Sequence, residues 1–342
     1  MTATSQFSGN RLNGAHAEAD AVERLLIGNA PAMRQLRLLI RRVAPTSLPV
    51  LIEGPTGSGK ELVARAIHAA SGRSGAFVAF NVAAVGDTLF EDALFGHVKG
   101  AFTGAATSAA GYLLEAHRGT CFFDEIGALP RVLQPKLLRA VESGCFRPVG
   151  ARVDSSSDFR LVAATNEPLS RLVQLGHFRA DLAFRLDGVA IAVPALHERV
   201  EDVPLLADYF AQRFARACES GVTLSPDAIL ALQERDWPGN VRELKHMVER
   251  IIALGEGPSI SAADVRAQTG ARSPLRSGPT RDDHRRAQLE DLLESVAWDT
   301  SKAAMLLDVD RTTVYRRMSR LGIAVPVRRL EKRRGQGDSH AH

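Results

Sequence analysis

The chain has 342 residues, 45% of them hydrophobic and 24% charged, which excludes wholesale disorder and a fibrous repeat and leaves room for two or three domains. A formal net charge of +4, from 43 Lys+Arg against 39 Asp+Glu, permits an acidic partner without requiring one. Cys121, Cys145 and Cys218 are too few and too scattered for a disulfide framework or a C-x-x-C site. No run reaches the roughly 18 apolar residues of a membrane span, and the polar start MTATSQFSGN is no secretory signal. A reduced, cytoplasmic chain without membrane contact is expected.

Residues 1–24 are rich in Ser, Asn, Gly and Ala without periodicity and read as a disordered arm. From 25 to 199, five short apolar runs, Pro49–Glu53, Ala76–Phe80, Thr120–Phe123, Arg160–Ala164 and Val189–Val193, alternate with amphipathic segments. That alternation predicts an α/β fold in which helices flank a parallel sheet. Over 200–267 the strand signal disappears, and helices are predicted at Val203–Ala217, Ser225–Arg235 and Gly239–Leu254, the second with Ser225 as N-cap and Pro226 at its first position. Trp237-Pro238-Gly239-Asn240 makes a turn with Asn240 as N-cap for the third. Residues 268–284 read as a linker, 285–327 as a short helical unit and 328–342 as a basic tail.

Gly54-Pro55-Thr56-Gly57-Ser58-Gly59-Lys60-Glu61 lies between an apolar strand and a helical segment, the context of a Walker A phosphate loop. Its glycines let backbone N–H groups close on phosphate oxygens, the following helix adds its N-terminal dipole, and Lys60 reaches the β/γ-phosphates. Glu61 stands where the general motif has Ser or Thr. Asp124 and Glu125 end the apolar run Cys121-Phe122-Phe123, so Asp124 is suited to organise Mg²⁺ and Glu125 to polarise the attacking water. Thr165-Asn166 follows another strand, at the edge where parallel sheets bind ligands.

Leu94 to Ala105 ends in Gly100-Ala101-Phe102-Thr103-Gly104-Ala105, with an apolar ring between glycines, a poor helix and a poor strand but a good grip on a partner. This stretch resembles, without substitution in its last six residues, the GAFTGA loop of bacterial enhancer-binding proteins, the AAA+ activators of sigma-54 RNA polymerase. The resemblance runs from about Leu26 to Gly322. It implies that residues 100–105 contact sigma-54, with Phe102 and Thr103 as the critical side chains. It also implies that Gly-Lys-Glu is an accepted Walker A form, that Asn81 is the switch residue paired with Glu125, and that Asn166 belongs to sensor I. Val149–Phe159 would be the second, pre-sensor loop. Arg179 and Arg185 would be arginine fingers acting on the nucleotide of the next subunit, and Arg242, in Trp237-Pro238-Gly239-Asn240-Val241-Arg242, would be sensor II. Val193-Pro194-Ala195-Leu196-His197-Glu198-Arg199 departs from the family's usual Pro-Pro-Leu-Arg-Glu-Arg at Ala195 and His197.

Ser301–Leu307, Asp308-Val309-Asp310 and Arg311–Leu321 read as helix, turn, helix, with Met318 among the inward anchors. Arg311, Thr312, Thr313, Arg316, Arg317 and Arg320 are left to face phosphates or base edges. The unit resembles the Fis-type helix-turn-helix that ends this family, with Asp308 where the turn commonly has Gly. From Arg311 onward nine basic residues face two acids, a local +7 that leaves −3 for the other 310 residues. The basicity of the chain therefore belongs to its C-terminal unit.

The resemblance implies an activator that binds enhancer-like double-stranded DNA and assembles into a hexameric ring, a dimer at rest, as a homo-oligomer or with a related subunit. It would spend ATP with Mg²⁺ to open the sigma-54 RNA polymerase promoter complex. About twenty-five residues before the ATPase are too few for a receiver or ligand-sensing domain, so control is expected to lie elsewhere. Two rivals are a DNA-binding regulator with a decayed ATPase and an AAA+ remodeller of another client. Intact Asp124, Glu125, Arg179 and Arg185 count against the first, and the loop at 100–105 against the second.

Overall fold

A computed structural model describes residues 21–219, 221–255, 257–270, 289, 292, 293, 296, 298, 300–306, 318 and 323. The chain divides into two compact units, Met1–Gln268 and Thr269–His342. In the first, five strands, β1 Val50–Glu53, β2 Phe77–Asn81, β3 Thr120–Asp124, β4 Arg160–Thr165 and β5 Val189–Ala192, form a wholly parallel sheet in the spatial order β2-β3-β4-β1-β5. All five lie where the apolar runs place them.

The three central strands are buried almost throughout, as helices on both faces of a sheet require, while the edge strands β2 and β5 are partly exposed. Successive side chains point to opposite faces, so Phe122 packs in one core and its neighbour Phe123 in the other. The Phe122 face is covered by α1 Pro31–Val43 and α2 Lys60–Ala69, which contribute Met33, Ile40, Val63 and Ile67. The Phe123 face is covered by α3 Asp87–Phe95, α4 Gln134–Ser143, α5 Leu169–Gln174 and α6 Ala180–Leu186. Arg160, buried at 1% exposure, donates to the carbonyls of Val43 and Ala44 and so satisfies the C-terminus of α1 from within the sheet. Burial lowers its pKa to about 10, which leaves it charged at neutral pH.

After β5 a 3₁₀ segment, Leu196–Asp202, leads into a helical subdomain of α7 Val203–Ala217, α8 Pro226–Gln233, α9 Asn240–Leu254 and α10 Ala262–Gly270. Its own core gathers Leu206, Trp237, Leu244, Val248 and Ile251. Ser225 caps α8, its hydroxyl accepting from Ala228 N–H at 3.3 Å. Asn240 does not cap α9. It is the first helical residue, held at φ +53°, with Gly239 as the N-cap, because its carboxamide is drawn across to two other segments. Ala195, one of the two departures noted in the sequence, keeps an N–H that donates to Glu198 Oε2 at 2.7 Å, a tie at the entrance to the subdomain.

In the second unit α11 Thr300–Leu306 sets Ala303 and Ala304 in a small apolar core with Leu289, Leu293, Met318 and Ile323. Met318 is inward, as its spacing predicts. Arg311, Thr312, Thr313, Arg316, Arg317 and Arg320 lie outside the described residues. Among the described residues no helix is long and apolar enough to cross a membrane.

Candidate active site

The parallel register aligns the carboxyl ends of the strands: Glu53 pairs with Thr165, and Asn81 with Asp124. Gly54, Asp124, Asn81 and Thr165-Asn166 therefore share one sheet edge, where β1 runs between β4 and β5 and the strand order reverses. Open parallel sheets bind their ligands at such a point. A cavity of about 520 Å³ opens there, lined by Thr56 through Glu61, Asp124, Glu125 and Arg242 together with the apolar Leu26, Ile27, Met33 and Phe210.

The loop after β1 owes its shape to its glycines at two positions. Gly57 sits at φ +78°, and a Cβ there would lie 2.3 Å from the carbonyl oxygen of Gly239. Gly59, at φ +107°, is the left-handed residue from which α2 starts. Lys60 opens that helix, is 8% exposed, and donates from Nζ to the carbonyls of Gly54 at 2.9 Å and Pro55 at 3.2 Å. Glu61 is turned outward into an ion pair with Arg65 at 2.8 Å, one turn along the helix.

Asp124 ends β3, and its Oδ1 accepts from Glu125 N–H at 3.1 Å. Glu125 follows at φ +57°, a left-handed conformation uncommon outside glycine. Its carbonyl accepts from Ala128 N–H at 2.9 Å, which closes the 3₁₀ turn Ile126–Ala128. Burial raises the Asp124 carboxyl above the ordinary range, against the pull of Lys60, with Glu125 pushing the same way as burial. Burial likewise lowers the Lys60 ammonium, opposed by Asp124 and Glu125.

The sign of the Asp124 shift gives a testable consequence. A carboxyl whose pKa is raised on folding holds its proton more tightly folded than unfolded, so its contribution to stability falls as pH rises through the raised value. Asp124→Asn, which imitates the neutral acid, is expected to raise the melting temperature of the nucleotide-free protein at pH 7. The advantage should shrink as pH falls through the raised pKa; an Asn variant that melts lower, or by the same margin at every pH, would contradict it.

Arg242, near the start of α9, donates its backbone N–H to Gly57 O at 3.3 Å, and its charge contributes to the lowering of Lys60. Asn240 binds beside it: Nδ2 donates to Thr56 O at 3.0 Å and Oδ1 accepts from Leu196 N–H at 2.8 Å. Arg199 reaches the phosphate loop from the 3₁₀ segment, donating to Ser58 O at 3.0 Å while 3% exposed. The helical subdomain therefore clasps the phosphate loop through Asn240, Arg199 and Arg242 together. Only Arg242 was marked by its motif, since nothing in the spacing of Asn240 or Arg199 shows that they cross between subdomains.

Not every expected residue converges. Asn81 stands beside Asp124 in the sheet, but its Oδ1 accepts from Ala83 and Ala84 N–H at 2.9 and 3.1 Å. The pairing of Asn81 with Glu125 is not formed, because Asn81 caps the short turn Val82–Ala84 instead. Asn166 is exposed at the sheet edge outside the cavity lining. Arg179 and Arg185 lie on the surface at either end of α6, also outside the cavity, with Arg179 paired to Asp181 at 2.7 Å and the neighbouring Phe184 86% exposed.

The loop at 100–105 rises between two short antiparallel strands, Gly96–His97 and Ala109–Ala110. Gly100 and Gly104 adopt φ +82° and +105°, and Gly100 N–H donates to Ala105 O at 2.9 Å. Phe102, 45% exposed, rests edge-on against His97 at 5.1 Å between ring centroids, while Thr103 faces solvent. His97 contacts Asp92 Oδ1 at 2.5 Å and Thr107 O at 3.0 Å, fixing the base of the loop.

Against known proteins, residues 26–192 match the sigma-54 interaction domain, 197–281 the AAA+ ATPase lid domain, and 286–321 the Fis family of bacterial regulatory proteins. The transcriptional regulatory protein ZraR of Escherichia coli (strain K12) is 43% identical over 302 residues, covering 86% of this chain and 68% of that protein. The chain belongs to the bacterial enhancer-binding proteins, the AAA+ activators of sigma-54 RNA polymerase. A second relative, the Nif-specific regulatory protein of Klebsiella pneumoniae, is 41% identical over 312 residues, 88% of this chain and 59% of that protein. The crystal structure of NtrX from Brucella abortus in complex with ATP superposes with a TM-score of 0.64 at 34% identity, over 92% of this chain and 73% of that one. Its complex with ADP gives 0.66 at 34% identity, over 93% and 73%. The protein is thus an ATPase and a transcription regulator whose partners are sigma-54 polymerase and DNA.

Proposed function

We propose that this protein binds enhancer-like DNA through residues 285–327 and couples ATP hydrolysis in residues 25–199, under the lid at 200–267, to remodelling of the closed sigma-54 polymerase complex into an open one. Residues 268–284 link motor to reader, and Arg311, Thr312, Thr313, Arg316, Arg317 and Arg320 contact the DNA. The working form is a hexameric ring built from resting dimers, of this chain alone or with a related subunit, in the cytoplasm and on the nucleoid when DNA-bound.

The carrying observation is the adjacency of the cavity and the loop: Asn81 neighbours Asp124 in the sheet, and the chain passes from Asn81 through α3 directly to the strands that bear Phe102. A change at the γ-phosphate that turns Asn81 from its cap toward Glu125 has a short path to the loop. The Asn81 amide still holds two donors free for a carboxylate. Gly54 through Glu61 wrap the phosphates, Lys60 binds them, Ser58 offers a buried hydroxyl that has no protein partner, Glu125 orients water, and Asn166 and Arg242 read the phosphate state. Arg179 and Arg185 act on the neighbour's nucleotide, so hydrolysis waits on assembly.

Mg²⁺ takes one or two carboxylates and otherwise water and phosphate oxygens. Asp124 is the carboxylate that would hold it, and the bound ion would neutralise charge on the transferring phosphoryl group. The reading predicts open-complex formation on a sigma-54 promoter with ATP and none with a non-hydrolysable analogue, read by permanganate reactivity of the melted bases. Equal opening with both nucleotides would reduce the protein to a binding module.

A further inference from the structure

Gln134, the first residue of α4, is completely buried, at 0% exposure, in a core otherwise built from apolar side chains. A primary amide is costly to place there unless its polar atoms are matched. Here they are: Nε2 donates to Leu129 O and to His177 O, both at 3.0 Å, and Oε1 accepts from Arg179 N–H at 2.8 Å. One rigid side chain thus fastens the segment that follows Asp124 and Glu125 to the two residues that lead into α6. Arg131 adds a parallel tie, donating to Gly176 O. Phe178, buried between His177 and Arg179, anchors the same segment in the core, so the Arg179 backbone is fixed while its side chain stays at the surface.

We propose that Gln134 is a positioning residue for Arg179, setting where a subunit presents this cation to its neighbour's nucleotide. The inference rests on the reading of Arg179 as acting in trans. The turn that carries Glu125 does not depend on the amide, since it closes through Ala128 N–H to Glu125 O and Leu129 N–H to Ile126 O, with Ile126 fully buried. Loss of Gln134 should therefore harm the neighbour's site and spare the subunit's own.

Subunit mixing separates the two. Lys60→Ala subunits cannot hydrolyse ATP but still present Arg179, and Arg179→Ala subunits have an intact site but no Arg179 to offer. Each should be inactive alone, and a one-to-one mixture should regain ATP turnover. If it does not, the trans reading of Arg179 fails, and the proposal falls with it for that separate reason. With Gln134→Leu added to the Lys60→Ala subunit, the regained turnover should drop by about tenfold or more, as expected when a reacting group is misplaced by a fraction of an ångström to an ångström. With Gln134→Leu added to the Arg179→Ala subunit, turnover should stay within about twofold, a result that also requires the variant to fold and bind ATP. Gln134→Met, which keeps the length and flexibility of the side chain but carries no amide, is made in parallel should the Leu variant fail to fold, with the same asymmetry expected. Equal loss in both arrangements, loss only in the hydrolysing subunit, or no loss in either would overturn the assignment.

Discussion

Lys60→Ala is expected to lower ATP turnover by ~10³-fold or more and to leave no detectable open complexes at a sigma-54 promoter. Removing one preorganised donor from developing transition-state charge costs about 10²–10³ in rate, and here a full cation is lost rather than a neutral donor. Lys60 is also poised in advance: two of its three N–H donors hold the carbonyls of Gly54 and Pro55, so the loop and the ammonium are set before any phosphate arrives. Alanine removes the charge and frees both carbonyls, weakening nucleotide binding as well as turnover. Its half-buried neighbours Asp124 and Glu125 would then face phosphate without a compensating cation. Steady-state phosphate release and promoter melting, measured on the same preparation, check this together. An Ala variant that still melts the promoter would mean that opening does not run on this site.

Phe102→Ala is expected to separate the two activities that Lys60→Ala removes together. ATP turnover should stay within about twofold and the melting temperature should barely move, because changes at exposed positions seldom exceed about 0.5 kcal/mol. Open-complex formation should fall by ~30-fold or more, the cost of truncating an aromatic hot spot at an interface. The geometry supports so local an effect: the ring is nearly half exposed, touches His97, and lies on a loop shaped by Gly100 and Gly104, outside the nucleotide cavity. Sigma-54 binding in the presence of a transition-state analogue should weaken in parallel with melting. Loss of turnover equal to the loss of melting would make Phe102 part of the motor instead of its contact surface.

The five strands were legible because each is a continuous or alternating apolar run bounded by turn residues, and because β3 and β4, buried on both faces, leave little choice about what they are. The phosphate loop and the acids at 124 and 125 were legible for a different reason: their chemistry depends on residues close together in the chain. Asn after Pro-Gly makes a good local N-terminus, yet Asn240 does not cap, because Thr56 and Leu196, distant in the chain, lie within reach of its carboxamide. Asn81 shows the converse. Its resemblance implied a partner in Glu125, whereas its own following backbone supplies two N–H groups that compete successfully for the oxygen.

By itself the sequence determined the class of fold, the phosphate-binding loop, the exposed Phe102 between two glycines, and the concentration of positive charge beyond Arg311, since each is written in neighbouring residues. The tertiary structure alone decided which buried polar groups join distant segments. Arg160 closes the end of α1, Arg199 and Asn240 clasp the phosphate loop, and Gln134 binds the turn after Glu125 to the approach to Arg179. These side chains carry no periodic signal, because a buried hydrogen bond answers to whatever unsatisfied carbonyl or N–H the fold brings opposite it. Sequence separation, forty-five residues in the case of Gln134 and Arg179, hides such a pairing until the chain has folded.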